Sequence, residues 1–229
     1  MSAPSRLLAP HRPGLVLYLP FWEGAGSVAE DVSPYRNHAT LYGPTWVDGK
    51  LGKAVSFDGL DDNLQTPTIN LSPGASTWAF WMKVNSFEPT WGSKGLLGCD
   101  GLGQNTITFL ISSGNQVLCY VENSTGTFVA LADPSLVSLS VWRHYALTID
   151  DSSPRNTKLY RNGEVIDAQT LAGDINFNFP VKFTKNWWTY HEEEWVLVPY
   201  AGVADEIRVF NRGLSDAEMF EEFYLGARG

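Results

Sequence analysis

Residues 184–200, TKNWWTYHEEEWVLVPY, gather Trp187, Trp188, Tyr190 and Trp195 beside His191 and the acids Glu192, Glu193 and Glu194. Indole and phenol rings offer flat apolar faces with one polar edge, which suits stacking on a sugar ring or anchoring a protein interface. Alternating aromatics also build cores, but this density predicts at least one exposed tryptophan. Trp91, in FEPTWGSKG, is a second loop-borne aromatic that with Gln104 and Asn105 would line the other end of the fold. Asp58, Asp61 and Asp62 in FDGLDDN form a compact acidic cluster that Asp/Gly turn chemistry explains more simply than a metal does. His38, His144 and His191 are scattered, and no serine stands in a nucleophile-elbow context, so no catalytic triad is read. Cys99 and Cys119 are too few for a disulfide framework, and Cys119 within QVLCYV reads as a small buried hydrophobe.

Positioning these residues falls to short strands. Apolar residues alternate at Leu15/Leu17/Leu19, Trp78/Phe80/Met82, Ile107/Phe109/Ile111, Val117/Cys119/Val121 and Tyr145/Leu147/Ile149, the period of half-buried antiparallel strands. Asn162-Gly163, between KLY and EVID, predicts a type I′ hairpin, because both residues tolerate positive φ. One helix is read near residue 216, with Ser215 and Glu218 as a capping box, Gly226 ending it, and Met219, Phe220, Phe223 and Tyr224 on the face that packs against a sheet. With 44% hydrophobic and only 18% charged residues, the chain has enough apolar surface for a sizeable core, so disorder is excluded. The reading is an all-β, two-sheet antiparallel sandwich in one domain, residues 14–229, preceded by an extended arm, residues 1–13, that holds three prolines.

Ordered blocks along the chain carry a resemblance: GLVLYLPFWEGAGSVAEDVSPYRNHATLYG, GPTWVDGKLGKAVSFDGLDDNLQTP, STWAFWMKV, WRHYALTID, KLYRNGEVIDAQ and GVADEIRVFNRGLSDAEM. Together, over about residues 14–225, they resemble the laminin-G-like jelly-roll domains of the concanavalin A-like lectin/glucanase superfamily. The resemblance implies a jelly-roll sandwich and a structural hydrogen-bonding role for His144. It also implies one structural calcium held by Asp31 and Asp205, completed by backbone carbonyls near Ser33, Arg36 and Asn37. The chain has SPYRN where relatives carry a glycine-rich turn, and residues 184–200 replace a short glycine- or serine-rich stretch.

Glycoside hydrolases of this superfamily need two carboxylates on one strand face. Glu164 and Asp167 are an odd number of residues apart and would point to opposite faces of a regular strand. Glu192 and Glu194 could lie together, but no third acid follows. The chain is therefore read as noncatalytic. Two noncatalytic roles are expected: a lectin-like recognition module for glycan or protein, and a decoration, tail or fibre subunit on a virus or phage particle that docks on neighbouring subunits through its arm. A net charge of -9 argues against nucleic acid and anionic membranes, and no apolar run is long enough to span a bilayer. The start, MSAPSRLLAPHRPG, lacks the apolar core of a signal peptide, so a soluble protein made in the cytosol is expected.

Overall fold

Period-2 alternation becomes period-2 burial wherever one strand face meets the core: Ile107, Phe109 and Ile111 are buried, while Thr108 and Leu110 between them are half-exposed. The structure is a computed structural model that describes residues 12–71, 74–88, 90, 92–99, 105–184 and 199–227, together with the backbone of 188–191 and 194–197. Its strands are β1 (Leu15–Leu19), β2 (Val28–Ala29), β3 (Ala39–Tyr42), β4 (Thr45–Asp48), β5 (Lys53–Asp58) and β6 (Asn63–Asn70). There follow β7 (Ser76–Ser86), β8 (Lys94–Cys99), β9 (Ile107–Ile111), β10 (Gln116–Glu122), β11 (Phe128–Leu136) and β12 (Trp142–Ile149). Then come β13 (Arg155–Arg161), β14 (Glu164–Leu171), β15 (Asn178–Phe183), β16 (Trp188–His191), β17 (Glu194–Leu197), β18 (Ala201–Phe210) and the helix α1 (Asp216–Ala227).

One antiparallel sheet has the order β14-β13-β12-β7-β18-β5-β4, with β1 also paired to β18, and the second has the order β11-β10-β9-β8-β15-β6-β3-β2. This is the expected all-β sandwich. The two sheets meet through aromatic rings: Phe80 of β7 stands edge-on to Phe109 of β9 at 5.1 Å and to Phe183 of β15 at 5.7 Å, and Phe57 of β5 stacks on Phe183 at 5.1 Å. Each such pair adds about 0.5–1.5 kcal/mol beyond its buried area. Cys99 and Cys119 are buried and not bridged by a disulfide, on β8 and β10 with β9 between them. Asn162 and Gly163 both adopt positive φ, 52° and 82°, as the type I′ reading requires.

The helix starts as read: the Glu218 amide donates to Ser215 Oγ at 3.3 Å, and the Ser215 amide donates to Glu218 Oε2 at 2.8 Å. Its docking face differs from the expectation. Met219, Glu222 and Gly226 are buried against the outer face of the first sheet, whereas Phe220 and Tyr224 stay exposed and stack on each other at 6.1 Å. Gly226 lies inside the last turn rather than beyond it, because the helix backbone presses on the Trp81 indole there. A Cβ at 226 would stand 2.2 Å from Trp81 Nε1. Among the described residues no helix is long and apolar enough to cross a membrane. Residues 1–11 of the arm lie outside the described residues. Arg12 and Pro13 are tied to the body: Arg12 pairs with Glu222, and Arg212 Nε donates to the Pro13 carbonyl at 2.8 Å.

Candidate functional site

Between β15 in one sheet and β18 in the other, β16 and β17 form a two-stranded ladder of their own, paired with neither eight-stranded sheet. Trp188 stands opposite Leu197, Thr189 opposite Val196, Tyr190 opposite Trp195 and His191 opposite Glu194. Directly opposed residues of an antiparallel ladder share a face, so positions 188, 190, 195 and 197 belong to one face of the pleat. Three of these four positions are aromatic. Trp187, Glu192 and Glu193 lie outside the described residues, as do Trp91 and Gln104. Asn105 is described, but its Oδ1 accepts the Asn176 amide at 2.9 Å, which makes it a loop tie.

Both stems of this hairpin are rooted in the core. Phe183, the last residue of β15, meets Tyr200 edge-to-face at 5.8 Å, and both rings contact Phe57. Thr184, buried and at φ 66°, donates its hydroxyl to the Asp62 carbonyl. Thr184 and Tyr200 were not legible as site residues, since their signal is only a polar and an aromatic residue flanking an unusual insertion.

Asp31 and Asp205 are both buried, with different neighbours. Asp31 Oδ1 accepts the Tyr18 and Ser33 amides, each at 2.8 Å, while Oδ2 accepts the Ser33 hydroxyl and the Asn37 amide, each at 2.7 Å. Those four donors occupy the four lone-pair positions of one carboxylate. Ser33 and Asn37 thus turn N–H groups toward Asp31, and the Ser33 carbonyl accepts the Arg36 amide. That donor set fits an anchored turn and not a calcium cage built on Asp31. Asp205 Oδ2 accepts the Leu51 amide at 3.0 Å, and its Oδ1 is buried without a hydrogen-bond partner.

His144 is fully buried between Trp81 and Phe223, and neither ring nitrogen has a hydrogen-bond partner. Its role is therefore packing, in place of the hydrogen-bonding role expected of it. His38 Nδ1 accepts the Asp31 amide at 3.1 Å. Glu164 and Asp167 also depart from the expectation. Glu164 pairs with Arg161, Val165 with Tyr160 and Asp167 with Leu159, so a bulge at Ile166 restores both acids to the same side of the sheet. Asp167 is nonetheless pinned by the Ala132 and Ala168 amides, at 2.9 and 2.8 Å, which crosslinks β14 to β11. A polar cleft of about 580 Å³ opens between β13 and the start of α1, but its Lys158 and Asp216 are spent on each other at 2.7 Å.

A family model described as the concanavalin A-like lectin/glucanases superfamily matches residues 57–219. No curated protein matches the chain by sequence. Among solved structures, the chain is similar to the binding domain of Paraclostridial Mosquitocidal Protein 1, with a TM-score of 0.73, 17% identity, and coverage of 92% of this chain and 52% of that one. It is also similar to domain 4 of AbnA, a GH43 extracellular arabinanase from Geobacillus stearothermophilus in complex with arabinotriose, with a TM-score of 0.71, 18% identity, and coverage of 91% and 97%. The receptor binding domain of botulinum neurotoxin C/D mosaic serotype gives a TM-score of 0.71 at 13% identity, covering 92% and 51%. The chain thus spans about half the length of the toxin binding domains it matches.

Proposed function

Because the chain belongs to the concanavalin A-like lectin/glucanase superfamily, we propose that it is a noncatalytic, lectin-like recognition module that binds a glycan through the β16–β17 hairpin. The observation that carries this reading is the hairpin itself: a two-stranded ladder outside both sheets, with aromatic residues at three of the four positions on one face. A ladder anchored at both stems holds stacking residues at little entropic cost, and stacking surfaces of this kind favour planar sugar faces. That a structurally similar domain was solved with arabinotriose supports a saccharide ligand. Fold likeness alone would not, since sandwiches host many functions.

The test is a glycan array on the full chain and on a Trp188→Ala/Trp195→Ala variant. Binding of at least one saccharide class should fall at least tenfold in the variant with its thermal midpoint unchanged. Saccharide binding that survives the double substitution, or release of reducing ends that Glu194→Gln abolishes, would overturn the reading.

A second role rests on the fastening of Arg12 and Pro13 beside α1, which sets where the arm leaves the body. In that reading the arm docks on neighbouring subunits of a particle. Light scattering should then find assemblies with the full chain and monomers after deletion of residues 1–11. Identical masses would reject it.

A further inference from the structure

We infer that the outward apolar face of α1, formed by Phe220, Tyr224 and Leu225, is a docking site for the chain's own N-terminal arm, and that Leu7 and Leu8 are the residues it receives. A surface helix ordinarily turns its apolar stripe to the body and its charges to water. α1 does part of the reverse. Glu222 is fully buried, while Phe220, Tyr224 and Leu225 are 53%, 45% and 46% exposed, with the Phe220 and Tyr224 rings stacked on each other. Glu222 is held inward by Arg12 and Arg208, so ion pairs set the rotation of the helix and leave this apolar stripe outside.

The place where the arm leaves the body identifies the occupant. Arg12 pairs with Glu222 and, at 3.9 Å, with Glu221. Arg212 joins the arm to the same helix, donating to the Pro13 carbonyl at 2.8 Å and to Glu218 at 2.6 Å. The base of the arm is thus already an interface with α1, on the flank that carries Glu221 and Glu222. With ~3.6 residues per turn, the path round the helix from Glu222 meets Leu225 at about 60°, Glu221 at about 100°, Tyr224 at about 160° and Phe220 at about 200°. The apolar stripe begins beside Arg12 and runs away from it. Over a helix of ~10–12 Å diameter, the path from Arg12 to Tyr224 and Phe220 is roughly 10–15 Å. Leu8 and Leu7 stand four and five residues before Arg12. That spacing gives an extended reach of about 13–17 Å, which matches the path.

Charge favours the same occupant. Residues 1–13 hold Arg6, His11 and Arg12 and no acid, whereas α1 holds Asp216, Glu218, Glu221 and Glu222 and neither Lys nor Arg. A second copy presenting its own α1 would set acids against acids. A tether this short also gives the arm an effective concentration on the order of 1 mM at its own helix, which an untethered partner has to exceed. The contact rests on neither proposed role, and an arm held there is withheld from neighbouring subunits until they displace it.

Limited trypsin digestion of the full chain, read by mass spectrometry at the bond after Arg6, tests the contact. Cleavage samples the undocked arm, so the wild type should be cut there about tenfold or more slowly than a synthetic peptide of residues 1–13. Phe220→Ser/Tyr224→Ser, which alters two exposed side chains, should be cut nearly as fast as the peptide, with its thermal midpoint unchanged. Leu8→Ser, which leaves the folded body intact, should lose the protection equally when compared with a peptide carrying the same change. A wild-type rate equal to the peptide's, or protection that survives both variants, would overturn the inference. Protection that grows with chain concentration would place the arm on a second copy, overturning the contact within one chain in favour of the particle role.

Discussion

Replacing Arg208 by methionine should lower the stability of the fold by about 3–5 kcal/mol, read as a drop in the urea midpoint and a loss of roughly 10 °C in thermal midpoint. Arg208 is 6% exposed on β18 and lies under α1, where it pairs with Glu206 and, at 3.6 Å, with Glu222. Its guanidinium lies over the Tyr18 ring at 4.2 Å, and the Tyr18 hydroxyl donates to Glu206 at 2.8 Å. Arg12 completes the group by pairing with Glu222. Taking away the central cation leaves two carboxylates in a nearly dry interface with less than their charge compensated, and that uncompensated charge is the source of the loss. Removing charge on both sides is different: Arg208→Met/Glu206→Gln/Glu222→Gln should recover most of the stability, because no buried charge is left alone. A triple variant as unstable as the single one would sink this account and point to lost packing instead.

The backbone explains why such a cluster exists. Asp205 pairs with Trp81, yet Arg208 pairs with Ala79, so β18 carries one residue more than β7 over this stretch, with Glu206 at φ 55°. A bulge of this kind lets consecutive acids both avoid the core, while Ile207 and Val209 return to it. From ADEIRVF alone, strict alternation sets Asp205 and Glu206 on opposite faces, and period-2 reasoning has no means of locating an extra residue. The same blindness misplaced Glu164 and Asp167, where the bulge is at Ile166.

By contrast, the strands around Phe80, Phe109 and Cys119, the Asn162-Gly163 turn and the Ser215 cap were legible, because each depends on residues within a few positions of one another. The docking face of α1 was not, since Glu222 is drawn inward by Arg12 and Arg208, which are distant in sequence. At the candidate site, the aromatic richness of 184–200 was visible. Its anchorage through Thr184 to the Asp62 carbonyl was not, because it depends on β15 and β6 being neighbours in the second sheet.

The stability of the folded chain should fall between about pH 6.5 and 8, by up to ~1.4 kcal/mol per pH unit. Two buried groups on the outer face of the first sheet set this window. Asp205 is pushed up to about 8, first by burial and then by the Glu206 charge, with the Leu51, Glu206 and Lys50 amides pulling the other way. His144 is pushed down to about 3, by burial first and then by Arg208. A carboxyl whose folded pKa is raised binds its proton more tightly when folded. Its contribution is complete below the unfolded value near ~3.9 and is lost as pH climbs toward 8. A histidine with a depressed folded pKa does the reverse, contributing fully above its unfolded value near ~6.5 and losing that contribution as pH falls toward 3. Between about pH 4 and 6.5 the two slopes oppose each other and the stability curve should be nearly flat. Above 6.5 only Asp205 is still changing, so the decline there belongs to it. Calorimetric midpoints from pH 5 to 9 should therefore show a plateau and then a loss of several degrees, and Asp205→Asn, which cannot ionise, should rise up to about pH 6.5 on the unopposed His144 contribution and stay level above it. A wild-type midpoint that rises from pH 6.5 to 8, or a variant that declines in parallel with it, would show that Asp205 is already ionised in the folded chain.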